Sequence, residues 1–500
     1  MASKQPIGSS QARDRRFRDD VRRRLSGEIG ALPGRGGFTA ALAYPSPYAV
    51  GMSSLGYQRI YRALHEAKGL SCERAFLEGD DPTGAPRGVE TYESLRPIAE
   101  LPVIAASVAY ELEIAGLARL LEGSGIAPVR EERGEGVPFV LAGGPLTFSN
   151  PTPLGAVCDA VLLGEAEALV VEVMRVLEAV PDKPSRLSAL ARVAHVWVPA
   201  LHGEILPPIA KVDDALLPAW GPIRAPEAEL TSMFLIETER GCSRGCTYCV
   251  MRRSTNGGMR IVPADEVLAR IPDDARRVGL VGAAVSDHPE IVRIVRTLAD
   301  RGCEVGLSSL RPDKLKPAFV DALRAAGYRT LTTAMDGPSD RTRRLLDRRA
   351  DERNLVAAAE NARAAKMERL KLYLMIGIPG ERDDDIDECV RFVSELSRII
   401  PVSLGIAPFC PKRNTPLVDE EFAGIDVVRG RLDRLKRGLQ GRADVRSTSA
   451  KWAWVEAKIA KGGFATGRAC VMASRNGGTF AAYQKAFDEH PEPRTKLRVI

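Results

Sequence analysis

An apolar run, Met233-Phe234-Leu235-Ile236, leads straight into a loop that carries Cys242, Cys246 and Cys249. The spacing is C-x3-C-x2-C, with an aromatic residue, Tyr248, just ahead of the last cysteine. Three thiolates brought together by so short a loop can hold three irons of a cubane cluster, which leaves the fourth iron open to a small chelating molecule. A structural zinc site and three unconnected thiols are the alternatives. Zinc usually takes a fourth Cys or His, no such ligand lies close in sequence, and the chain has only 5 His. The cluster therefore stands ahead of zinc, and simple burial comes last.

At 500 residues the chain is long enough for two to four domains. A hydrophobic share of 45% is ample for sizeable cores, and no apolar run is long and charge-free enough to span a bilayer. Residues 1–20 are polar and Arg-rich, unlike a secretory signal, so the expected location is cytoplasmic and no membrane partner is expected. The 9 cysteines suit a reducing compartment and show no disulfide framework. A net charge of +6 permits an acidic partner without demanding one.

Residues 1–36 read as a basic leader. Its charged helix, 13–25, mixes both signs, which favours a solvated face over an RNA-binding arm. Residues 37–180 alternate strand (39–44, 103–107, 139–142, 159–163) with helix (55–66, about 111–121, about 166–177), the pattern of an open parallel sheet. Ligands of such sheets lie beyond the carboxyl ends of the strands. Ser107, Gly143 and Gly144 fall at those ends, where small residues let a large flat ligand approach the backbone. Residues 181–230 form a proline-rich, extended connection, in which His195 and His202 are expected to be solvated or hydrogen-bonded. Residues 231–420 read as six β/α units, with strands at 233–236, 278–283, 304–309, 330–335, 370–376 and 403–407, which suits a partial (β/α)6 barrel with its site at the carboxyl ends. Residues 421–500 read as a helical cap.

The cysteine loop resembles the signature of the radical S-adenosylmethionine (SAM) superfamily. The resemblance implies a [4Fe-4S] cluster whose open iron binds the amino and carboxylate groups of SAM, and an electron donor such as flavodoxin or ferredoxin. The implied reaction is reductive cleavage of SAM to methionine and a 5'-deoxyadenosyl radical. Residues 37–180 resemble the cobalamin-binding Rossmann-like domain that precedes the barrel in many such enzymes, through the Ser107 strand, the Gly143-Gly144 turn and the segment from Asp159 to Glu165. Cobalt-ligating relatives carry an Asp-x-His-x-x-Gly loop after the first strand. Here that loop, Pro45 to Ser54, has no histidine, and His65 comes later inside a helix. Either cobalamin binds without a histidine on cobalt, or the domain keeps the fold without the cofactor.

By the same resemblance each barrel strand end acquires a role. Gly282, Ala283 and Ala284 stand where the family has a Gly-Gly-Glu-like motif for the SAM amino group; Ala284 lacks the carboxylate, which leaves backbone carbonyls to accept the ammonium hydrogens. Ser308, Ser309 and Arg311 end the third strand, and Arg311 is suited to clamp the carboxylate of SAM or of the substrate. Asp336 is expected at the SAM ribose or amino group, and Tyr248 offers backbone groups to the adenine. The segment from Met375 to Glu381, with Ile376 and Gly377, resembles the Gly-x-Ile-x-Gly-x-x-Glu stretch that lines the adenine. Taken singly, each of these is equally a strand-end cap. Asp287 and His288 are an acid/base-capable pair, for which helix capping by Asp287 is the plain competitor. The tail resembles the helical cap of an uncharacterised radical SAM branch whose barrel also ends in a Pro-Phe-x-Pro-Lys segment, Pro408 to Lys412 here. Such a cap would close the barrel mouth and exclude water. Cys410 and Cys470 read as buried small hydrophobes.

The resemblance thus implies a radical SAM enzyme acting on an unidentified substrate. With cobalamin the outcome is methyl transfer; without it, hydrogen abstraction leading to rearrangement, oxidation or coupling. The competing readings are an RNA-modifying or RNA-binding protein docking through its basic leader and tail, and a non-catalytic iron–sulfur scaffold.

Overall fold

The computed structural model describes residues 8–34, 36–78, 88–251 and 258–492. The first seven residues of the leader and residues 493–500 of the tail lie outside them. The chain is α/β, as expected, and its larger sheets are parallel except at one edge. Among the described residues no helix is long and apolar enough to cross a membrane.

The N-terminal sheet holds β1 (Phe38–Tyr44), β2 (Leu70–Phe76), β3 (Val103–Ser107), β4 (Phe139–Gly143), β5 (Ala160–Leu162) and β6 (Val196–Trp197). Their order is β2-β1-β3-β4-β5-β6, parallel except for β6. Helices cover both faces, so β1, β3 and β4 read as nearly unbroken apolar runs. β2 has no such run. It carries Glu73 and Arg74 mid-strand, and sequence reading missed it. Arg74 is only 1% exposed; its guanidinium donates to Glu28 at 2.7 and 2.8 Å and to Glu93 at 2.6 Å.

Glu28 follows the leader helix, Gly8–Gly27, so that helix is docked rather than simply solvated. Val21 is buried in the N-terminal core, the Arg24 guanidinium sits 4.8 Å from the centroid of the Tyr48 ring, and Arg18 and Arg23 pair with Glu90 and Glu227. The proline-rich connection is also more ordered than its composition suggests. It contains the helix Lys183–Leu190, capped by Asp182, and the edge strand β6 with Trp197 fully buried. Pro184 lies in that helix's first turn, where its missing N–H has no partner to lose. His195 and His202 make hydrogen bonds to the backbone at Pro208 and Val198.

The second half contains β7 (Phe234–Glu237), β8 (Glu239–Gly241), β9 (Met259–Ile261), β10 (Arg277–Val281), β11 (Glu304–Leu307), β12 (Thr330–Asp336), β13 (Arg369–Ile376), β14 (Val402–Pro408) and β15 (Ala443–Ser447). The six expected barrel strands are present in two parallel sheets, β11-β10-β7 and β12-β13-β14-β15, and β8 pairs with β9 as a separate antiparallel ribbon. β15 is a seventh parallel strand inside the stretch read as helical. Its sequence, with Asp444 and Arg446 exposed, lacks an apolar run because it is an edge strand.

The tail helices Ala450–Lys461, Phe464–Arg475 and Phe480–Glu489 do not spend their apolar faces on the barrel mouth. Val455, Ile459, Cys470 and Val471 join Ile104 and Val140 in the core of the N-terminal half. Gly467 lies so close to that half that a Cβ would stand 2.1 Å from the Pro153 carbonyl oxygen. The segment after β14 completes the junction: Lys412 pairs with Glu111 at 2.8 Å and Glu456 at 2.6 Å, and Arg413 donates to Asn150 and Thr152. Cys410 donates to the Ala453 carbonyl and Cys470 is buried, both remote in role from the cysteine loop.

Candidate active site

β7 delivers the chain to the carboxyl end of its sheet, and the short ribbon β8–β9 flanks the loop that follows. Gly241, at φ +95°, turns the chain into Cys242. Cys246 is buried and Cys242 and Cys249 are half-buried. Burial raises the thiol pKa of Cys242 and of Cys249, so cationic iron is a suitable partner for the thiolates. Among the described residues no three His, Cys, Asp or Glu converge on a point that could hold one metal ion. A cubane takes each thiolate on a separate iron and so asks for no such convergence.

Three ties hold the loop. The Thr247 N–H donates to the Leu346 carbonyl at 3.1 Å. Arg348 is hydrogen-bonded to the Cys246 sulfur and pairs with Asp336 at 2.5 Å. The Tyr248 hydroxyl is hydrogen-bonded to Asp336. Arg240, two residues before the first cysteine, reaches back to Glu167 of the N-terminal half at 2.7 Å and to Glu237 at 2.8 Å.

Asp336 ends β12 at φ +64°, a conformation that is strained for a side chain. Burial raises its carboxyl pKa against the opposing pull of Arg348 and Tyr248. Arg311 is buried; its Nε faces Asp313 at 3.2 Å and Asp287 at 3.5 Å, and its Nη2 has no hydrogen-bond partner. That orphaned donor fits a ligand carboxylate. Ser309 accepts from the Val285 N–H at 3.0 Å, and the Ser308 and Ser309 hydroxyls both donate to the Gly282 carbonyl. The Gly282 oxygen is thus already engaged, which narrows the backbone acceptors for an ammonium to its neighbours, Ala283 among them.

Glu239 is a site residue that sequence reading passed over. It is fully buried; its Oε1 accepts from the Ala284 N–H at 2.6 Å, and its Oε2 has no partner. A Cβ on Gly282 would stand 2.1 Å from that Oε1, so the glycine makes room for the carboxylate. Burial, reinforced by Glu237 and Asp287 and opposed by the Ala284 N–H, raises Glu239 from 4.5 to about 7. Because the folded state holds this proton more tightly, the group's penalty sets in as pH climbs from about 4.5 to about 7 and persists above. Glu239→Gln cannot ionise. Denaturant titrations at pH 5 and pH 8 should show the wild type losing up to about 3 kcal/mol more than the variant across that interval.

The adenine-lining expectation divides between residues. Ile376 points into the helix-covered core, and its carbonyl accepts from Phe409. Gly377, at φ +75°, donates to Glu381 Oε1 at 2.8 Å. Met375, next along the strand, lines the open cavity instead. Asp287 and His288 do not form a free acid/base pair. Asp287 pairs with Arg244 and Arg311, and both His288 ring nitrogens face backbone groups, of Val262 and Glu290.

In the N-terminal half, Ser107 and Gly143 are register partners at the ends of β3 and β4. Gly144, at φ +104°, could take no Cβ, which would meet Val108 backbone atoms at 2.7 and 2.9 Å. The chain's own packing is by itself enough to require that glycine. His65 packs beside Tyr61 and faces the Cys72 carbonyl at 3.1 Å, away from these strand ends.

A cavity of about 740 Å³ lies against the β12–β15 sheet and reaches Asp336, the residue bonded to the cysteine loop. The family described as "Radical SAM proteins, N-terminal" matches residues 56–199, and that described as "Radical SAM superfamily" matches residues 236–393. An uncharacterised protein of Methanocaldococcus jannaschii is 26% identical over 388 residues, which cover 76% of this chain and 79% of that one. The ribosomal protein uS12 methylthiotransferase RimO of an Anaeromyxobacter species is 30% identical over 222 residues, 40% of this chain and 45% of the relative. Among solved structures, the cobalamin-dependent S-adenosylmethionine radical enzyme OxsB with aqua-cobalamin bound shares the fold at a TM-score of 0.50 and 12% identity, over 80% of this chain and 56% of that one. The chain thus spans less than half of that methylthiotransferase and little more than half of OxsB. With radical SAM family matches on both halves and the cysteine loop at the strand ends of the second, the chain belongs to the radical S-adenosylmethionine superfamily.

Proposed function

We propose that the protein cleaves SAM at its cysteine loop and modifies a substrate held in the cavity of the β12–β15 sheet. When bound, a [4Fe-4S] cluster supplies the electron that splits SAM into methionine and a 5'-deoxyadenosyl radical. Cys242, Cys246 and Cys249 hold three irons. The unpartnered Arg311 Nη2 donates to the methionine carboxylate. Asp336 accepts from ribose hydroxyls while Arg348 and Tyr248 keep it oriented. Ala283 offers backbone groups, whereas at Ile376 and Gly377 only the groups not engaged by Phe409 and Glu381 remain for the nucleotide. The reading rests chiefly on one observation: the cavity runs up to Asp336, which the cysteine loop holds through Tyr248. The electron comes from a small redox protein of the flavodoxin or ferredoxin kind. All nine cysteines are free of disulfides, in keeping with the cytoplasm.

The finer reading is methyl transfer, for which Ser107 and Gly143, at the ends of β3 and β4, would face a bound cobalamin, and the loop from Pro45 to Ser54 would offer it no histidine. It draws support from the likeness to a cobalamin enzyme that extends over both halves of the chain. Anaerobic reconstitution with iron, sulfide and hydroxocobalamin, followed by SAM and reductant, tests both levels. A protein-bound corrinoid spectrum with S-adenosylhomocysteine as product supports methyl transfer. Deoxyadenosine without corrinoid binding supports direct hydrogen abstraction, and neither product defeats the whole proposal.

A further inference from the structure

A closed barrel fills its interior with branched aliphatic side chains, and only half of this one does. Over the first sheet, Met233 and Leu235 lie across the glycines of β10 and β11: a Cβ on Gly279 would stand 2.6 Å from Leu235, and one on Gly306 would stand 3.2 Å from Met233. Leu55 and Ala219, from outside the barrel, pack onto Leu235 and complete an apolar plug. The second sheet is inverted in character. Along β13, Leu370, Leu372, Leu374 and Ile376 are buried under helices, while the alternate residues Arg369, Lys371, Tyr373 and Met375 line the cavity.

The end of this cavity away from the cysteine loop is cationic. Arg369, Lys371 and Arg446 face a single carboxylate, Asp444, which lies 3.9 Å from Arg369 and 3.1 Å from Arg446. No carboxylate among the described residues is within ion-pairing distance of Lys371, whose ammonium rests 4.8 Å from the centroid of the Tyr373 ring. Thr330 and Ser403 add hydroxyls to the same end. Arg and Lys side chains converging with hydroxyl donors in a concave site are suited to a phosphate or carboxylate.

We infer that this end binds the anionic group, phosphate or carboxylate, of a small elongated substrate whose reacting carbon lies at the Asp336 end. From Lys371 to Met375 is four residues of strand, so group and carbon are separated by about 13 Å. The inference rests on the cavity being the substrate chamber of the proposed function, and it names the substrate's class. A cavity of about 740 Å³ suits a single small molecule rather than a polymer.

The test uses the full chain with its cluster reconstituted, and inorganic pyrophosphate as probe at low ionic strength. Calorimetry should show saturable binding, and pyrophosphate should protect Lys371 from acetylation as read by mass spectrometry. Lys371→Ala and Arg446→Ala should each weaken binding about tenfold, whereas Lys371→Arg should retain it. Both side chains lie on the open face, so circular dichroism should report intact folds. Wild-type protein that neither binds nor protects, or alanine variants that bind as the wild type does, would overturn the inference. Pyrophosphate binding by wild-type protein that carries its reconstituted cluster yet fails to cleave SAM under reductant would uphold the anion site and overturn the radical reading instead.

Discussion

Cys246→Ala is expected to abolish reductive cleavage of SAM, with deoxyadenosine formation falling about a thousandfold or more. Cys246 is the one buried member of the trio, and Arg348 donates to its sulfur. Alanine removes one of the three proposed iron ligands, leaving no thiolate to take its place. Serine is a weak substitute, because an alcohol ionises far less readily than a thiol. Anaerobic reconstitution should therefore give substoichiometric iron, and the reduced electron paramagnetic resonance signal should no longer respond to SAM. Cys470→Ser offers the contrast. That residue lies on the tail helix Phe464–Arg475, packed into the core of the N-terminal half, so its replacement should spare the cluster. A Cys246→Ala protein with full iron content and undiminished cleavage would remove the basis for the proposed function.

Arg74→Ala should be the most destabilising single change in the N-terminal half, at about 3–5 kcal/mol. The Glu28 side chain is 0% exposed, and Glu93 is partly covered. Truncating the arginine leaves one fully buried and one partly buried carboxylate without their cation, and the loss of that pair costs more than the pair itself contributes. Because Glu28 fastens the leader helix to β2, limited proteolysis should cleave near residues 27–34 earlier in the variant. A second change, Glu28→Gln, should restore part of the loss, since it removes the stranded charge. Unfolding should be followed by probes for each half, because a chain this long need not unfold in one step. Equal denaturation midpoints for wild type and Arg74→Ala would show that this cluster contributes nothing net.

How legible each part was depends on what its residues report. The cysteine loop and the six barrel strands could be read because each strand buries a continuous or alternating apolar set, and the thiols lie within one short loop. β2 and β15 could not. The first hides an arginine neutralised by Glu28 and Glu93, and the second is an edge strand with exposed Asp444 and Arg446. The strand-end residues were named from resemblance, but their partners were not. Neither the bond from Tyr248 to Asp336 nor the approach of Glu239 to Ala284 has a local signature. Gly144 is required by its own packing, and such a glycine looks the same in sequence as one needed by a ligand.

Local spacing was enough to favour a cluster over zinc, since a loop of eight residues brings its sulfurs together whatever surrounds it, and the resemblance added the SAM chemistry. The use of the barrel's interior was decided elsewhere. Leu55 reaches Leu235 and Gly467 reaches Pro153 across long stretches of chain, plugging one sheet and drawing the tail helices onto the N-terminal half. Burial of an apolar face is non-directional, so periodicity marks which face will be covered but not by what; only the assembled fold left the cationic face of β13 and β15 open.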